Sequence, residues 1–247
     1  MQLDWTTTHA AIWRQRKEYL RPVKNYDLIA LDDLLGIPKQ KQQLIENTER
    51  FLAGMPANNA LLWGARGTGK SSLVKALFNA YVKQGLRMIE VDKDDLLFLP
   101  EIVDEIRELP QKFIIFCDDL SFAEEEKNYK HLKSVLDGSI EVPPKNVLIY
   151  ATSNRRHLLP EKMQDNLGAK VVDGEIHYTD AVEEQISLSD RFGLWLAFYP
   201  GGMEQYLNIV DSLFVDYQGD RESLHEAARL FALSRATHSG RTARQFF

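Results

Sequence analysis

The chain is short of cysteine, of excess positive charge and of long apolar runs, and each shortage excludes a class of protein. Among its 247 residues Cys117 is the single cysteine, so an internal disulfide framework is excluded and a reducing compartment suits it. The formal net charge is −6 and the isoelectric point about 5.6, which excludes a protein that coats nucleic acid through bulk charge. A local basic patch is still compatible with those totals. No apolar stretch approaches the roughly 20 residues of a membrane span. The opening MQLDWTTTHA lacks a basic-then-apolar signal pattern, so the expected compartment is the cytoplasm, with no membrane partner. What is present, 44% hydrophobic and 27% charged residues, suits a globular chain of one large domain or a core with an appendage.

The most informative stretch is Leu61–Ser72, LLWGARGTGKSS. A short apolar run ends at Trp63, and a helical pattern opens at Lys70. Between them Gly64, Gly69, Lys70 and Ser71 satisfy the phosphate-binding spacing G-x-x-x-x-G-K-[ST]. Glycine lets such a loop bend and approach phosphate closely. The loop N–H groups and the helix N-terminus offer positive potential, Lys70 suits the β- and γ-phosphates, and Ser71 suits Mg²⁺. A glycine-rich turn that happens to precede Lys-Ser is the bland alternative.

A second buried-type run, Lys112–Cys117, ends in Asp118-Asp119. Carboxylates at the end of a buried strand are costly without a cation, and open α/β sheets bind ligands at the carboxyl ends of their strands. Asp118 is the candidate Mg²⁺ partner and Asp119 the candidate to orient or deprotonate a water; a helix-capping pair is the alternative. Cys117 reads as a small packed hydrophobe. A further apolar strand, Val147–Ala151, leads into Thr152-Ser153-Asn154-Arg155-Arg156. Asn154 there suits a water or γ-phosphate, or is an ordinary turn residue. Arg155 and Arg156 fit a partner-facing patch and plain surface charge equally. Arg191, just before a strand at Trp195–Phe198, fits a salt bridge in its own chain or a neighbouring subunit's γ-phosphate.

The remaining segments organise around these. The spacing of Ala11, Trp13 and Leu20 predicts a helix over Thr8–Leu20 ended by Pro22, with Arg14, Arg16, Lys17, Arg21 and Lys24 on a solvated arm or a partner-facing one. Leu34, Leu35, Gly36 and Ile37 form an apolar elbow, either a wall for adenine or simple packing, ahead of a helix opened by Pro38. Asp92, Asp94 and Asp95 read as a helix start. Ala123–Leu136 reads as a charged helix, and Leu158 to about Val182 as a long irregular excursion. From Met203 onward the pattern is all-helical, with stripes at Tyr206, Ile209, Val210, Leu213 and Phe214 and at Leu224, Ala227, Ala228 and Phe231. Strand–helix alternation followed by helices describes an α/β domain with a helical appendage.

The ordered set LLGI, GARGTGKS, FIIFCDD, YATSN, SDRFG and SGRTAR, spanning about Leu34 to Arg244, resembles the AAA+ ATPases. The wording DDLSF, YATSNRRHL, SLSDRFGL and SGRTARQF is similar to a bacterial stand-alone family of predicted AAA+ ATPases. The resemblance implies a five-stranded parallel sheet between helices plus a small C-terminal lid, divided as an arm at 1–27, a core at 28–200 and a lid at 201–247. It implies a nucleotide held by Leu35, Gly36 and Ile37, by Gly64, Ala65, Arg66, Gly67, Thr68, Gly69, Lys70, Ser71 and Ser72, and by Arg244. It further implies Mg²⁺ on Ser71 and Asp118, Asp119 as base, Asn154 as sensor 1, Arg191 as arginine finger in trans, and Arg241 as the lid arginine, with Arg244 the alternative. ATP, Mg²⁺, a homo-oligomer and an unidentified protein client follow from the same resemblance.

Three functions compete at this level: an ATP-driven switch, an ATP-gated loader or adaptor at DNA, and a protein-remodelling chaperone whose pore aromatic would be Phe98. A small-molecule kinase explains the phosphate loop alone and leaves Arg191 and Arg241 without a role. Asp119 departs from the family's usual Glu. Its shorter side chain sets the base roughly an ångström farther from the water, and misplacement on that scale costs on the order of a hundredfold in rate. Steady-state ATP turnover is therefore expected to fall below about 10 per second, the middle of the range for enzymes; a faster rate would contradict the switch reading.

Overall fold

The backbone order alternates strand and helix because apolar runs of five to seven residues alternate with amphipathic ones. In the computed structural model, residues 3–122, 129–138, 141–156, 158, 170–172, 175–177 and 188–247 are described. Strands β1 (Ala10–Arg14), β2 (Tyr19–Val23), β3 (Ala60–Gly64), β4 (Leu86–Glu90), β5 (Lys112–Cys117), β6 (Val147–Ser153) and β9 (Leu194–Phe198) form one sheet in the order β2-β1-β4-β5-β6-β3-β9. All its pairings are parallel except that of β1 with β2. The short strands β7 (Lys170–Val172) and β8 (Glu175–His177) pair separately. The rest of the expected Leu158–Val182 excursion lies almost wholly outside the described residues, as does the first half of the helix expected at Ala123–Leu136.

The five-stranded parallel core matches the expected architecture, and the N-terminal segment enlarges it. Residues Thr8–Leu20 do not form the expected helix. They fold as a hairpin, and β1 pairs with β4 while Pro22 lies on the edge strand β2, where a missing N–H costs little. Ala10, Ala11 and Trp13 are all buried because β1 is covered on both faces, which erases the alternation that marks a half-exposed strand. Trp13 packs on Phe98 at 5.4 Å and Trp5 on the edge of Phe113 at 4.9 Å. Phe98 is thereby tied to the core instead of being offered to a client.

Helices α1 (Pro38–Leu52) and α2 (Lys70–Tyr81) cover one face, burying Leu44, Phe51, Leu73 and Leu77. Helices α3 (Leu99–Ile106) and α4 (Tyr129–Asp137) cover the other with Leu99, Ile102, Ile106 and Leu132. Each such side chain contributes about 1.5–3 kcal/mol on leaving water. The Asp92 carboxylate accepts a bond from the Asp94 N–H at 3.0 Å, so the acidic run is a helix start, as its composition implies, with Asp92 as the cap. Past β9, α5 (Met203–Leu213), α6 (Arg221–Ser234) and α7 (Gly240–Phe246) enclose their own core of Tyr206, Val210, Leu224, Ala228 and Ala243. Among the described residues no helix is long and apolar enough to cross a membrane.

Two buried polar anchors hold this frame. The Arg87 guanidinium, 7% exposed, donates to the carbonyls of Trp5, Val82 and Leu86, tying the N-terminal segment to β4. Tyr150 on β6 donates to Thr48 Oγ1 at 2.8 Å, since that hydroxyl's own proton goes to the Leu44 carbonyl, and accepts from Asn47 Nδ2 at 3.0 Å. Burial pushes the Tyr150 phenol up to about 12. Tyr150→Phe should lower stability by about 1–2 kcal/mol in urea unfolding, because two buried partners lose a bond; an unchanged midpoint would mean that α1 is anchored otherwise.

Candidate functional site

The parallel order brings sequence-distant strand ends together. In the sheet β3 lies between β6 and β9, and β6 lies beside β5, with Trp63 opposite Ser153, Gly64 opposite Phe198 and Cys117 opposite Ala151. The loop after β3, the acidic pair after β5 and Asn154 after β6 therefore share one edge. A cavity of about 910 Å³ opens there between the sheet and the helices α5 and α7.

Gly64 ends β3 at φ +132°, and a Cβ on it would fall 2.0 Å from the Phe198 carbonyl oxygen. Only glycine lets β9 pass that close while the chain turns. The loop is then tied by Ala65 N–H to Phe198 O at 3.1 Å and by Thr68 Oγ1 to Ala65 O at 2.8 Å. At its end α2 starts with Lys70, so the positive end of the helix faces the cavity. Lys70 is 7% exposed and donates to the carbonyls of Gly64 (2.8 Å) and Ala65 (2.7 Å) and to Asn154 Oδ1 (3.2 Å). Burial pulls its ammonium below the ordinary lysine range, and Asp119 and Asp118 oppose that shift.

From Lys70 a continuous set of polar contacts runs across three strands. Asn154 Nδ2 donates to Asp119 Oδ1 at 2.5 Å. The Asp119 N–H donates to Thr152 Oγ1 at 2.9 Å, Thr152 Oγ1 donates to Asp118 Oδ1 at 2.5 Å, and Ser71 Oγ donates to the same oxygen at 2.6 Å. Asp119 adopts φ +52°, a conformation that Asp tolerates better than most residues and that the Thr152 contact holds in place. Thr152 was missed in the sequence. Its signal was its position between the buried strand and Asn154, where a side chain faces the acidic pair.

Ser71 and Asp118 supply two hard oxygen donors side by side. That suits Mg²⁺, which keeps water and phosphate oxygens in its shell and does not require an all-protein cage. Among the described residues no group of three or more His, Cys, Asp or Glu is positioned to hold a metal.

Of the residues singled out from the sequence, Leu35, Ile37, the loop Ala65–Ser72, Asp118, Asp119, Asn154, Arg241 and Arg244 border the cavity. Gly36 and Gly64 do not border it. Arg241 lies against the loop, its Cβ 3.5 Å from where a Cβ on Gly67 would be, and Ser239 caps α7 beside it. Arg191 does not border this cavity; its Nε pairs with Asp137 Oδ2 at 2.5 Å. Arg156 stacks over Trp63 at 5.7 Å.

Residues 6–247 match the sequence family described as "Protein of unknown function (DUF815)". Three solved structures share the fold. The Orc1 protein of Aeropyrum pernix, solved in complex with DNA, aligns with a TM-score of 0.59 and 17% identity over 85% of this chain and 58% of its own. A point variant of RuvB from Thermotoga maritima gives 0.54 and 18% over 88% and 63%, and a DNA replication initiation factor gives 0.52 and 15% over 88% and 62%. At those identities the likeness is one of fold: a P-loop α/β domain of the AAA+ type with a helical lid. A replication factor C large subunit from Ignicoccus hospitalis is 37% identical over 67 residues, 26% of this chain and 13% of that protein. The chain thus spans less than two thirds of each of these relatives.

Cys117 sits one residue from this site yet takes no part in it. It is buried and its thiol is pushed up to about 12, so almost no thiolate exists at neutral pH. Iodoacetamide at pH 8 should leave the folded protein unmodified and label one cysteine in urea; rapid labelling of the native form would contradict the burial.

Proposed function

The chain is a member of the DUF815 family, and on that premise and the geometry of its site we propose that it binds ATP with Mg²⁺ and hydrolyses it slowly, as an assembly-dependent switch. The observation that carries this reading is the unbroken contact path Lys70–Asn154–Asp119–Thr152–Asp118–Ser71, which links the phosphate loop to both carboxylates. Lys70 exchanges its two loop carbonyls for the β- and γ-phosphate oxygens, and that exchange raises the ammonium pKa that burial depresses. Asp119 accepts the proton of the attacking water, while Asn154, already bonded to Asp119, holds that water in line with the γ-phosphorus. Bound Mg²⁺ would neutralise phosphate charge from Ser71 and Asp118. The Asn154 amide occupies only Oδ1 of Asp119 and leaves the second carboxylate oxygen for the water, so it is the short reach of Asp in this position that supports a low rate.

Arg191 supports the requirement for assembly. It stands outside its own cavity, with Asp137 among its partners, and in the proposed assembly it would exchange these for the γ-phosphate of a second copy. Arg241 and Arg244 reach the nucleotide from the lid. The proposed setting is the cytoplasm, with a homo-oligomer and a protein client.

A second reading, an ATP-gated loader at DNA, draws support from the exposed Arg14, Arg16, Lys17 and Lys24 on the edge hairpin. Binding to a labelled duplex whose affinity rises with ATP and falls with salt would favour it; salt-independent or absent binding would leave the protein-directed switch.

The primary test combines three substitutions. Lys70→Ala should abolish ATP binding, Asp119→Asn should bind ATP without turnover, and Arg191→Ala should bind ATP yet lose about a thousandfold of the turnover seen at assembling concentrations. Undiminished turnover in Arg191→Ala would refute its role across the interface. Undiminished turnover in Asp119→Asn would refute its role as base.

A further inference from the structure

Helix α5 has two faces. Tyr206, Leu207 and Val210 are buried in the lid core, whereas Gln205 and Ile209, one turn apart, border the cavity. The Gln205 side chain lies against two backbones, that of Gly201 on the cavity wall and that of Gly36 beside it. A Cβ on Gly36, in the elbow before α1, would fall 1.8 Å from its Nε2, and a Cβ on Gly201, after β9, would fall 2.3 Å from its Oε1. Glycine at both positions is what gives the carboxamide its seat. The elbow continues to Ile37, whose Cδ1 would lie 3.7 Å from a Cβ on Gly69 of the phosphate loop, and Ile209 approaches Gly240 similarly at 3.8 Å. Ile37 and Ile209 are thus two apolar walls between the phosphate end and the carboxamide.

The amide itself is uncommitted. Among the described residues no protein group hydrogen-bonds the Gln205 side chain, whereas the nearby Gln40 spends its Nε2 on the Ala197 carbonyl at 2.7 Å. A carboxamide offers one acceptor and two donor protons. Adenine presents a matching pair, the N6 donor and the N7 acceptor; guanine presents two acceptors there, O6 and N7, and leaves the Gln oxygen opposed.

We propose that Gln205, seated on Gly36 and Gly201, reads the N6/N7 edge of the base and gives the site its preference for adenine over guanine. This rests on the nucleotide-binding reading above and extends it to a residue that determines specificity. The test is displacement of a fluorescent ATP analogue from the full chain by ATP, 7-deaza-ATP, GTP and inorganic tripolyphosphate. In the unmodified chain ATP should bind about ten- to a hundredfold tighter than GTP, with 7-deaza-ATP in between. Gln205→Ala should weaken ATP to the level of GTP, abolish the penalty of 7-deaza-ATP, and leave tripolyphosphate unchanged. Gly201→Ala, which displaces the amide without removing it, should have the same effect and serves if Gln205→Ala fails to fold. Retention of the ATP preference in both variants, or equal binding of ATP and GTP by the unmodified chain while tripolyphosphate competes, overturns the role of Gln205 alone. If neither nucleotide nor tripolyphosphate competes in the unmodified chain, the nucleotide-binding reading falls, and this inference with it.

Discussion

The Lys70 ammonium is the constraint that the rest of the structure serves. A cation 7% exposed to water is unfavourable on its own, and it is kept by two loop carbonyls and Asn154 with two carboxylates behind them. Those acceptors come from three different strand ends, so the cation holds only if β3, β5 and β6 are neighbours in register. Asp118 and Asp119 follow a strand that is buried on both faces but are themselves exposed, so water as well as the cation offsets their charge. Strand order and the hold on this cation are therefore parts of one arrangement.

That arrangement also explains the character of the site. In this state the groups that would act on a phosphate are bonded to one another: the lysine to carbonyls, Asp119 to Asn154, Ser71 to Asp118. A polyanion with its metal must replace several short, charge-assisted contacts at once. Arg191 lies outside this set, with Asp137 among its partners.

Much of this was legible in the chain. The runs LLW, KFIIFC and VLIYA are strands because strands covered on both faces are continuously apolar, and the glycine loop, acidic pair and Asn follow them directly. Leu35 and Ile37 do line the cavity, and Phe98 proved to be a packing residue against Trp13. The N-terminal hairpin was not legible. Ala10 and Ala11 favour helix locally, and only docking beside β4 makes that segment a strand, so tertiary burial overrode local preference. Thr152 and Gln205 were hidden for a different reason: a lone Thr or Gln carries no spacing signal, and each matters only through what the fold sets opposite it.

The sequence by itself determined the local chemistry, since the loop, its lysine and the carboxylates depend on residues adjacent along the chain and on the periodicity of their own segments. Only the tertiary structure decided the partnerships: Asn154 with Lys70 across 84 positions, Thr152 with both aspartates, Gln205 on two glycines, and Arg191 turned to Asp137 and away from the cavity. The physical reason is that local preference selects strand or helix within a few residues, whereas strand order and lid position set which side chains meet, and those come from burying two faces of one sheet together.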